Sequence, residues 1–308
     1  MKKKKSVIAI MGPTASGKTE LALSLAKEIP SEIISVDSAL IYRGMDIGTA
    51  KPSIAERKSI PHHLIDIKTP AESYSVANFV DDALSLIEDI KNRNKTPILV
   101  GGTMMYFKSL IYGINDLPCA SQDIRLILEK ECEQLGLDYL HEQLAQVDTL
   151  SASRIHRNDK QRILRALEVF RLTGKSLTDL NIENKRKMTI MNDVLQCTLK
   201  IEDRCLLHKR IAQRFMHMID LGFEKEVLHL RQCSKLHMNL PSIRSVGYRQ
   251  MWSYLDGEIT YRDMIDKSIA ASRQLAKRQL TWLRNWGNLF SLNFQDDDNI
   301  SKILDQLH

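Results

Sequence analysis

The octapeptide Gly12-Pro13-Thr14-Ala15-Ser16-Gly17-Lys18-Thr19 constrains the fold of this chain more than any other stretch. It fits G-x-x-x-x-G-K-[ST] and lies between the apolar run Val7-Ile8-Ala9-Ile10-Met11 and a helix-like stretch, residues 20–27. That strand–loop–helix setting is where such a spacing forms a phosphate-binding loop. The glycines permit a tight turn that points successive N–H groups into one concavity suited to an anion. The helix beginning near Lys18 adds its positive dipole end. Lys18 contributes a point charge for a phosphate, and the Thr19 hydroxyl can ligate a magnesium ion. A Gly-rich turn of purely structural use is the alternative, and strand, spacing and Gly-Lys-Thr together weigh against it. The loop specifies a diphosphate without saying which molecule carries it.

The surrounding pattern predicts the rest of the core. Residues 6–11, 32–36, 97–100, 194–201 and 289–294 read as strands, with a weaker one at 62–67. Between them Val76, Phe79, Val80, Ala83, Ile87 and Ile90 recur at helical spacing, as do stretches at 18–29, 204–221 and 223–232. A long helix is expected over 261–286, with Ile265, Ile269, Ala276, Leu280 and Leu283 as its apolar stripe and Ser272 filling the gap. Alternation of this kind predicts an α/β fold, a phosphate-loop NTPase-like parallel sheet flanked by helices. From 121 to about 181 the pattern is helical throughout, which predicts a helical insertion subdomain, 121–185, between core segments 1–120 and 186–308. In parallel sheets chemistry gathers at the carboxyl ends of the strands. That rule selects the phosphate loop, Asp37-Ser38 and Gly101-Gly102-Thr103.

Composition narrows the partners. The 308 residues carry a net charge of +6 and a pI near 9.0, which favours a polyanionic partner. Aromatics amount to only 6%, too few for the stacking platforms of single-strand binders. The five cysteines, Cys119 among them, form no C-x-x-C pair and read as reduced thiols of a cytoplasmic protein. Lys2 to Lys5 resemble a leader's charged start, but the apolar run behind them is short and enters the phosphate loop, so the tract is expected to be a solvated tail. No segment has the roughly 18 apolar residues of a membrane span. No stretch suggests an interface, and a monomer is expected.

Asp37 closes a buried strand. It can support a magnesium ion as a Walker-B aspartate does, act as a general base in the cleft, or cap a helix. Residues 37–52 then mix glycines, a tyrosine and basic residues without a clean period, the mark of a loop that contacts something. Two tracts are strongly basic. Arg154, Arg157, Lys160, Arg162, Arg165, Arg171 and Lys175 face only Asp159 and Glu168 in sequence, and residues 268–294 hold Arg273, Lys277, Arg278 and Arg284 with no acidic residue. A solvated face normally mixes both signs, so these tracts favour a phosphate backbone. The nine histidines make no H-E-x-x-H pattern; His62-His63 reads as a strand-edge pair and His156 as a turn residue.

An N-K-x-D motif and a D-x-x-G switch, which a signalling GTPase needs, are missing from the sequence. A small-molecule kinase would leave the insertion and basic tracts without use. In order, the chain carries G-P-T-A-S-G-K-T, D-S-A-L-I-Y-R-G-M-D-I-G-T-A-K-P, G-G-T-M-M-Y, I-H-R-N-D-K-Q-R-I-L-R-A-L-E-V-F and S-V-G-Y-R-Q. In these it strongly resembles the tRNA dimethylallyltransferases, the bacterial tRNA isopentenyltransferases, from Val7 to about Trp286. The resemblance implies that the loop, Gly12 through Thr19, holds the diphosphate of dimethylallyl diphosphate rather than of ATP, with Mg2+ on Thr19. It implies transfer of the dimethylallyl group to N6 of the adenosine 3′ to the anticodon, in tRNAs that read codons starting with U.

By the same resemblance Asp37 is the base, Thr103 a second polar contact at the reaction centre, and Arg214 an arginine facing the diphosphate. Asp37, Ser38, Ala39, Leu40 and Thr103 would meet the target base and its neighbours. Arg125, Gln161-Arg162-Ile163-Leu164-Arg165 and Arg244-Ser245-Val246-Gly247-Tyr248-Arg249 match segments that contact the tRNA anticodon arm, and Arg273, Lys277 and Arg278 join them on charge. Two departures stand out: Arg157 and Lys160 replace prolines common in the family, and Ser121 to Arg125 replaces D-P-x-x-R, so Asp123 is given no role. An adenylate isopentenyltransferase acting on free AMP and a phosphate-loop ATP switch or kinase are the competing readings.

Overall fold

The computed structural model describes residues 5–113, 115, 117–118, 120–183 and 190–307. Cys119, Lys2 to Lys4 and positions 184–185 of the expected insertion lie outside the described residues. The other cysteines, Cys132, Cys197, Cys205 and Cys233, are free thiols. The chain divides into two compact units, Met1–Ile111 with Ile190–His308, and Tyr112–Thr189.

The first unit is built on one six-stranded sheet. Its strands are β1 (Val7–Met11), β2 (Ser31–Val36), β3 (His62–His63), β4 (Thr96–Gly101), β5 (Val194–Lys200) and β6 (Phe290–Asn293), in the order β3-β2-β4-β1-β5-β6. Every pair is parallel. Central parallel strands are covered on both faces, which is why β1 reads Val-Ile-Ala-Ile-Met without alternation and is buried throughout. One face, with Ile8, Ile10, Ile33, Ile98 and Cys197, packs on Ala22 and Leu25 of the Lys18–Glu28 helix and on Ile303 near the carboxyl end. The Val76–Asn92 helix, with Phe79, Val80, Ala83, Ile87 and Ile90 buried at the expected spacing, also lies against β2 and β4.

Two expectations needed correction. The strand expected at 62–67 stops at His63, because Leu64 and Asp66 take φ values of 59° and 58°, a left-handed conformation that no strand accommodates. The long helix runs Tyr261–Arg284, but its buried residues are Met264, Ser268, Ala276, Gln279 and Leu283, so Ile265, Ile269 and Leu280 only flank the inward face. A polar side chain, Gln279, lies on the inward face among them, hydrogen-bonded at both ends of its amide.

The aperiodic stretch after Asp37 is held by two polar knots, each centred on one charged side chain. Lys51, its side chain 2% exposed, donates through Nζ to Tyr42 O at 2.7 Å and to the carboxylates of Asp46 and Asp66 at 2.5 and 2.6 Å. Glu226, on the Phe223–Arg231 helix, accepts the backbone N–H groups of Asp46, Ile47 and Gly48 at 2.8, 2.7 and 3.1 Å. It also accepts the Tyr248 hydroxyl at 2.6 Å. Loop amides without a ladder to join must find acceptors, and a carboxylate accepting several of them replaces the missing strand partner.

The second unit is helical among its described residues, with helices Gln122–Leu135, Leu137–Val147, Thr149–Arg154, Lys160–Thr173 and Leu177–Glu183. Leu128, Leu140, Leu144, Ile163, Ala166 and Leu167 form its core. Glu168 is fully buried there and is answered by Arg165 Nη1 at 2.8 Å, Arg125 Nε at 3.2 Å and Ser121 N at 2.8 Å.

Glu226→Ala would strip the acceptor from three loop amides. It is expected to cost about 2–4 kcal/mol, read as a lower denaturation midpoint, with Glu226→Gln losing less. An unchanged midpoint in the alanine variant would show that water satisfies those amides.

Candidate active site

Three sequence-selected places meet because of strand register. Gly101 at the end of β4 lies opposite Met11 of β1 on one side and Val36 of β2 on the other. The phosphate loop, Asp37 and Thr103 therefore leave the sheet at one level, at its carboxyl edge. The approach is close enough that a Cβ on Gly101 would stand 2.0 Å from Val36 O, so no other residue fits.

The loop is a compact anion cradle. Ala15 and Gly17 both turn left-handed, at φ 62° and 92°, and Ser16 N donates to Pro13 O at 3.3 Å. An alanine in that region costs on the order of 1 kcal/mol. Arg210 Nε, donating to Ala15 O at 2.9 Å, holds it there. The Ser16 hydroxyl is buried and has no hydrogen-bond partner among the described residues, which leaves it a bond to give to an anion. Lys18 Nζ folds back onto Pro13 O at 2.8 Å. Burial, with help from the Arg214 charge and against the pull of Asp37, lowers its pKa to about 8. Burial pushes the Arg214 guanidinium below its ordinary value too, and Asp37 opposes that. The cradle thus gathers cationic charge that an anion would relieve.

Asp37 does not cap a helix. Its Oδ1 accepts Ala39 N at 2.8 Å in a turn, and residues 38–42 form no helix, so the capping alternative is removed by geometry. Ser38 N donates to Thr103 Oγ1 at 3.2 Å, and Thr103 N donates to Val36 O at 3.2 Å, which ties the Asp37 turn to the Gly101–Thr103 turn. Arg214, on the Arg204–Asp220 helix, donates to Thr49 O at 3.3 Å. Thr19, in the first turn of the Lys18–Glu28 helix, is exposed. No cluster of three or more His, Cys, Asp or Glu able to hold a metal occurs among the described residues. The Thr19 hydroxyl with diphosphate oxygens and water is a donor set of the kind magnesium accepts.

Several expected contact residues prove to be structural. Ile163 lies in the core of the second unit, and Tyr248 is fully buried with its hydroxyl on Glu226, beside the buried Gly247; none of these presents a surface to a partner. Leu164 is packed against the second unit's core, and Arg165 is spent on Glu168 and on Pro118 O at 2.6 Å. Gln161 and Arg162 are exposed, although Arg162 pairs with Asp159 at 2.8 Å. The carboxylate-poor look of the first basic tract was a local impression, since Arg157, Arg171 and Lys175 find Asp138, Glu131 and Glu183. Arg244 and Arg249 are exposed, with Ser245 and Val246 half-buried. The second tract keeps its character: Arg273, Lys277 and Arg278 are exposed and make no ion pair among the described residues. Leu40 and Ala39 are half-buried beside Ser38, which is exposed. Arg210, Gln279 and Glu226 were missed by sequence reasoning; Arg210, four residues before Arg214 on the same helix, had spacing as its one visible signal.

Residues 40–286 match the family described as IPP transferase. Two bacterial structures are similar over nearly the whole chain. A full-length tRNA isopentenylpyrophosphate transferase from Bacillus halodurans shows 38% identity over 99% of this chain and 97% of that one, with a TM-score of 0.70. A tRNA delta(2)-isopentenylpyrophosphate transferase from Staphylococcus epidermidis shows 38% identity over 99% and 97%, with a TM-score of 0.68. A eukaryotic dimethylallyltransferase acting on tRNA is similar at 28% identity over 98% of this chain and 77% of that one, with a TM-score of 0.81.

The lowered Lys18 pKa sets a pH dependence for anion binding. An anion binds the charged amine, so above about pH 8 a proton must be taken up and affinity falls by up to about tenfold per pH unit. Inorganic diphosphate titrated by calorimetry against wild type and Lys18→Met checks this. The wild-type profile should carry the extra fall, the weaker methionine variant should lack it, and parallel profiles would clear Lys18 of the role.

Proposed function

The chain belongs to the IPP transferase family and transfers a prenyl group to tRNA, and we propose that its donor is dimethylallyl diphosphate and its acceptor N6 of the adenosine 3′ to the anticodon. The tRNAs concerned would be those reading codons that start with U. What carries this reading is the common level at which the phosphate loop, Asp37 and Thr103 leave the sheet. A leaving-group cradle there adjoins a carboxylate and a hydroxyl able to meet an exocyclic amine.

The chemistry follows from those groups. As N6 attacks C1 of the dimethylallyl group, the C1–O bond breaks and its electron pair departs with the diphosphate. Lys18, the loop amides, the Ser16 hydroxyl and Arg214 are donors for that developing charge, and preorganised donors stabilise it most where water is excluded. Magnesium, held by Thr19, would add a positive charge at the diphosphate. The N6 lone pair is delocalised into the purine, so loss of its proton to Asp37 as it attacks is worth about 10²–10⁴-fold. Thr103, already bonded to the Asp37 turn through Ser38, would fix the base against it. The target base has to leave the anticodon-loop stack, at roughly a few kcal/mol, which is less for a loop nucleotide than for a paired one.

Phosphate contacts would come from exposed, unpaired cations, which favours Arg273, Lys277 and Arg278 over Arg165. Exposed Arg244, Arg249 and Gln161 add to the proposed anticodon-arm contacts, while Arg162 and Arg125 would exchange Asp159 and Glu168 for phosphate there.

Incubation with unmodified tRNA, dimethylallyl diphosphate and magnesium, followed by nucleoside analysis, should yield N6-isopentenyladenosine. AMP in place of tRNA should yield none; prenylated AMP in its place would favour the free-nucleotide reading. Asp37→Asn should lower turnover by about 10²–10⁴-fold with tRNA affinity within a few-fold, and near-normal turnover would remove Asp37 from the base role. Replacing Arg273, Lys277 and Arg278 by glutamine should flatten the salt dependence of tRNA binding, by about 0.7–0.9 in log–log slope for each phosphate no longer neutralised. An unchanged slope would make that helix face merely solvated.

A further inference from the structure

Gln279 is 7% exposed and sits on the inward face of the Tyr261–Arg284 helix. Its Oε1 accepts Thr14 N of the phosphate loop at 2.8 Å, and its Nε2 donates to Gly102 O at 2.9 Å. One planar amide therefore spans the loop that holds the leaving group and the turn that ends in Thr103. The space is filled on the turn side, since a Cβ on Gly102 would stand 2.3 Å from that same Nε2. Glutamine suits the task because its terminus carries an acceptor and a donor in one rigid plane without charge. Glutamate offers two acceptors, so it could meet Thr14 N but not Gly102 O. Asparagine is one methylene short.

We propose that Gln279 is a positioning residue for prenyl transfer, setting the separation between the diphosphate cradle and the Thr103 side of the site. The inference rests on the reaction assigned above and adds to it a part that touches neither reacting atom. Two consequences follow from the bonds. Thr14 N is engaged by protein, so the anion is left the other loop amides and the Ser16 hydroxyl. The Gly102 carbonyl oxygen is answered by an NH₂ group, rather than left as a bare negative dipole near a diphosphate. With either end released, loop and turn could move apart, and a misplacement of about 1 Å at a reacting centre costs about 10²-fold in rate.

The test compares wild type with Gln279→Met, which keeps the volume and loses both bonds, and with the isosteric Gln279→Glu, which serves if the methionine variant does not fold. Single-turnover transfer to unmodified tRNA should slow by about 10–100-fold in Gln279→Met. The Kd values for dimethylallyl diphosphate and tRNA should stay within about threefold and the melting temperature within a few degrees. Amide hydrogen exchange at Thr14 should accelerate by at least about tenfold. In Gln279→Glu donor affinity should fall as well, because a carboxylate then faces the diphosphate. Wild-type rate in the methionine variant, or a rate loss matched by an equal loss of donor affinity, would overturn the proposal. A wild-type protein inactive on this substrate pair would instead sink the assigned reaction. The exchange measurement still decides about Gln279 in that case, since unchanged protection at Thr14 means that no clamp exists.

Discussion

Everything at the site depends on the register in which β4 lies between β1 and β2. Parallel strands share a direction, so their carboxyl ends can be level, and here Met11, Val36 and Gly101 are. A one-residue slip would flip each side chain to the other face of a sheet buried on both. A slip that brought Val100 there would also put a side chain where Gly101 only just clears Val36 O. The phosphate loop and the Asp37 and Thr103 turns are thus placed by core packing, before any of their own polar contacts act.

Charge is the second organising term. Lys18 and Arg214 lie half-buried at the cradle, with Asp37 as the countercharge acting on both. That excess is unfavourable until an anion arrives, the usual condition of a preorganised site. Elsewhere charges withdrawn from water are answered at home: Lys51 by two aspartates, Glu168 by two arginines, and the half-buried Glu226 by backbone amides and a tyrosine. The contrast separates charges answered by countercharges or donors within the fold from the cationic excess beside the phosphate loop.

The same distinction reorders the basic tracts. On sequence spacing alone, Arg154 to Lys175 looked the richer surface for a polyanion. Folding brings Asp138, Glu131 and Glu183 to it from neighbouring helices and leaves Arg165 locked on a buried carboxylate. The sparser set Arg273, Lys277 and Arg278 meets no such acids among the described residues. An ion pair is a property of three-dimensional neighbours, and local counting cannot see it.

The sequence by itself determined the parallel sheet, the phosphate loop and the strand ends at Asp37 and Gly101-Gly102-Thr103. Those features follow from local rules: apolar runs of strand length, glycine spacing, and the tendency of chemistry to collect at carboxyl ends. Only the tertiary structure decided that β3 ends at His63, where left-handed residues interrupt it, and that Ile163 and Tyr248 serve the cores. It also decided the roles of Glu226 and Gln279, which lie 178–180 and 265 residues from the amides they satisfy. A backbone N–H does not record in sequence which distant acceptor will answer it. That pairing is settled by how helices dock on the sheet, and it is where the site acquires its dimensions.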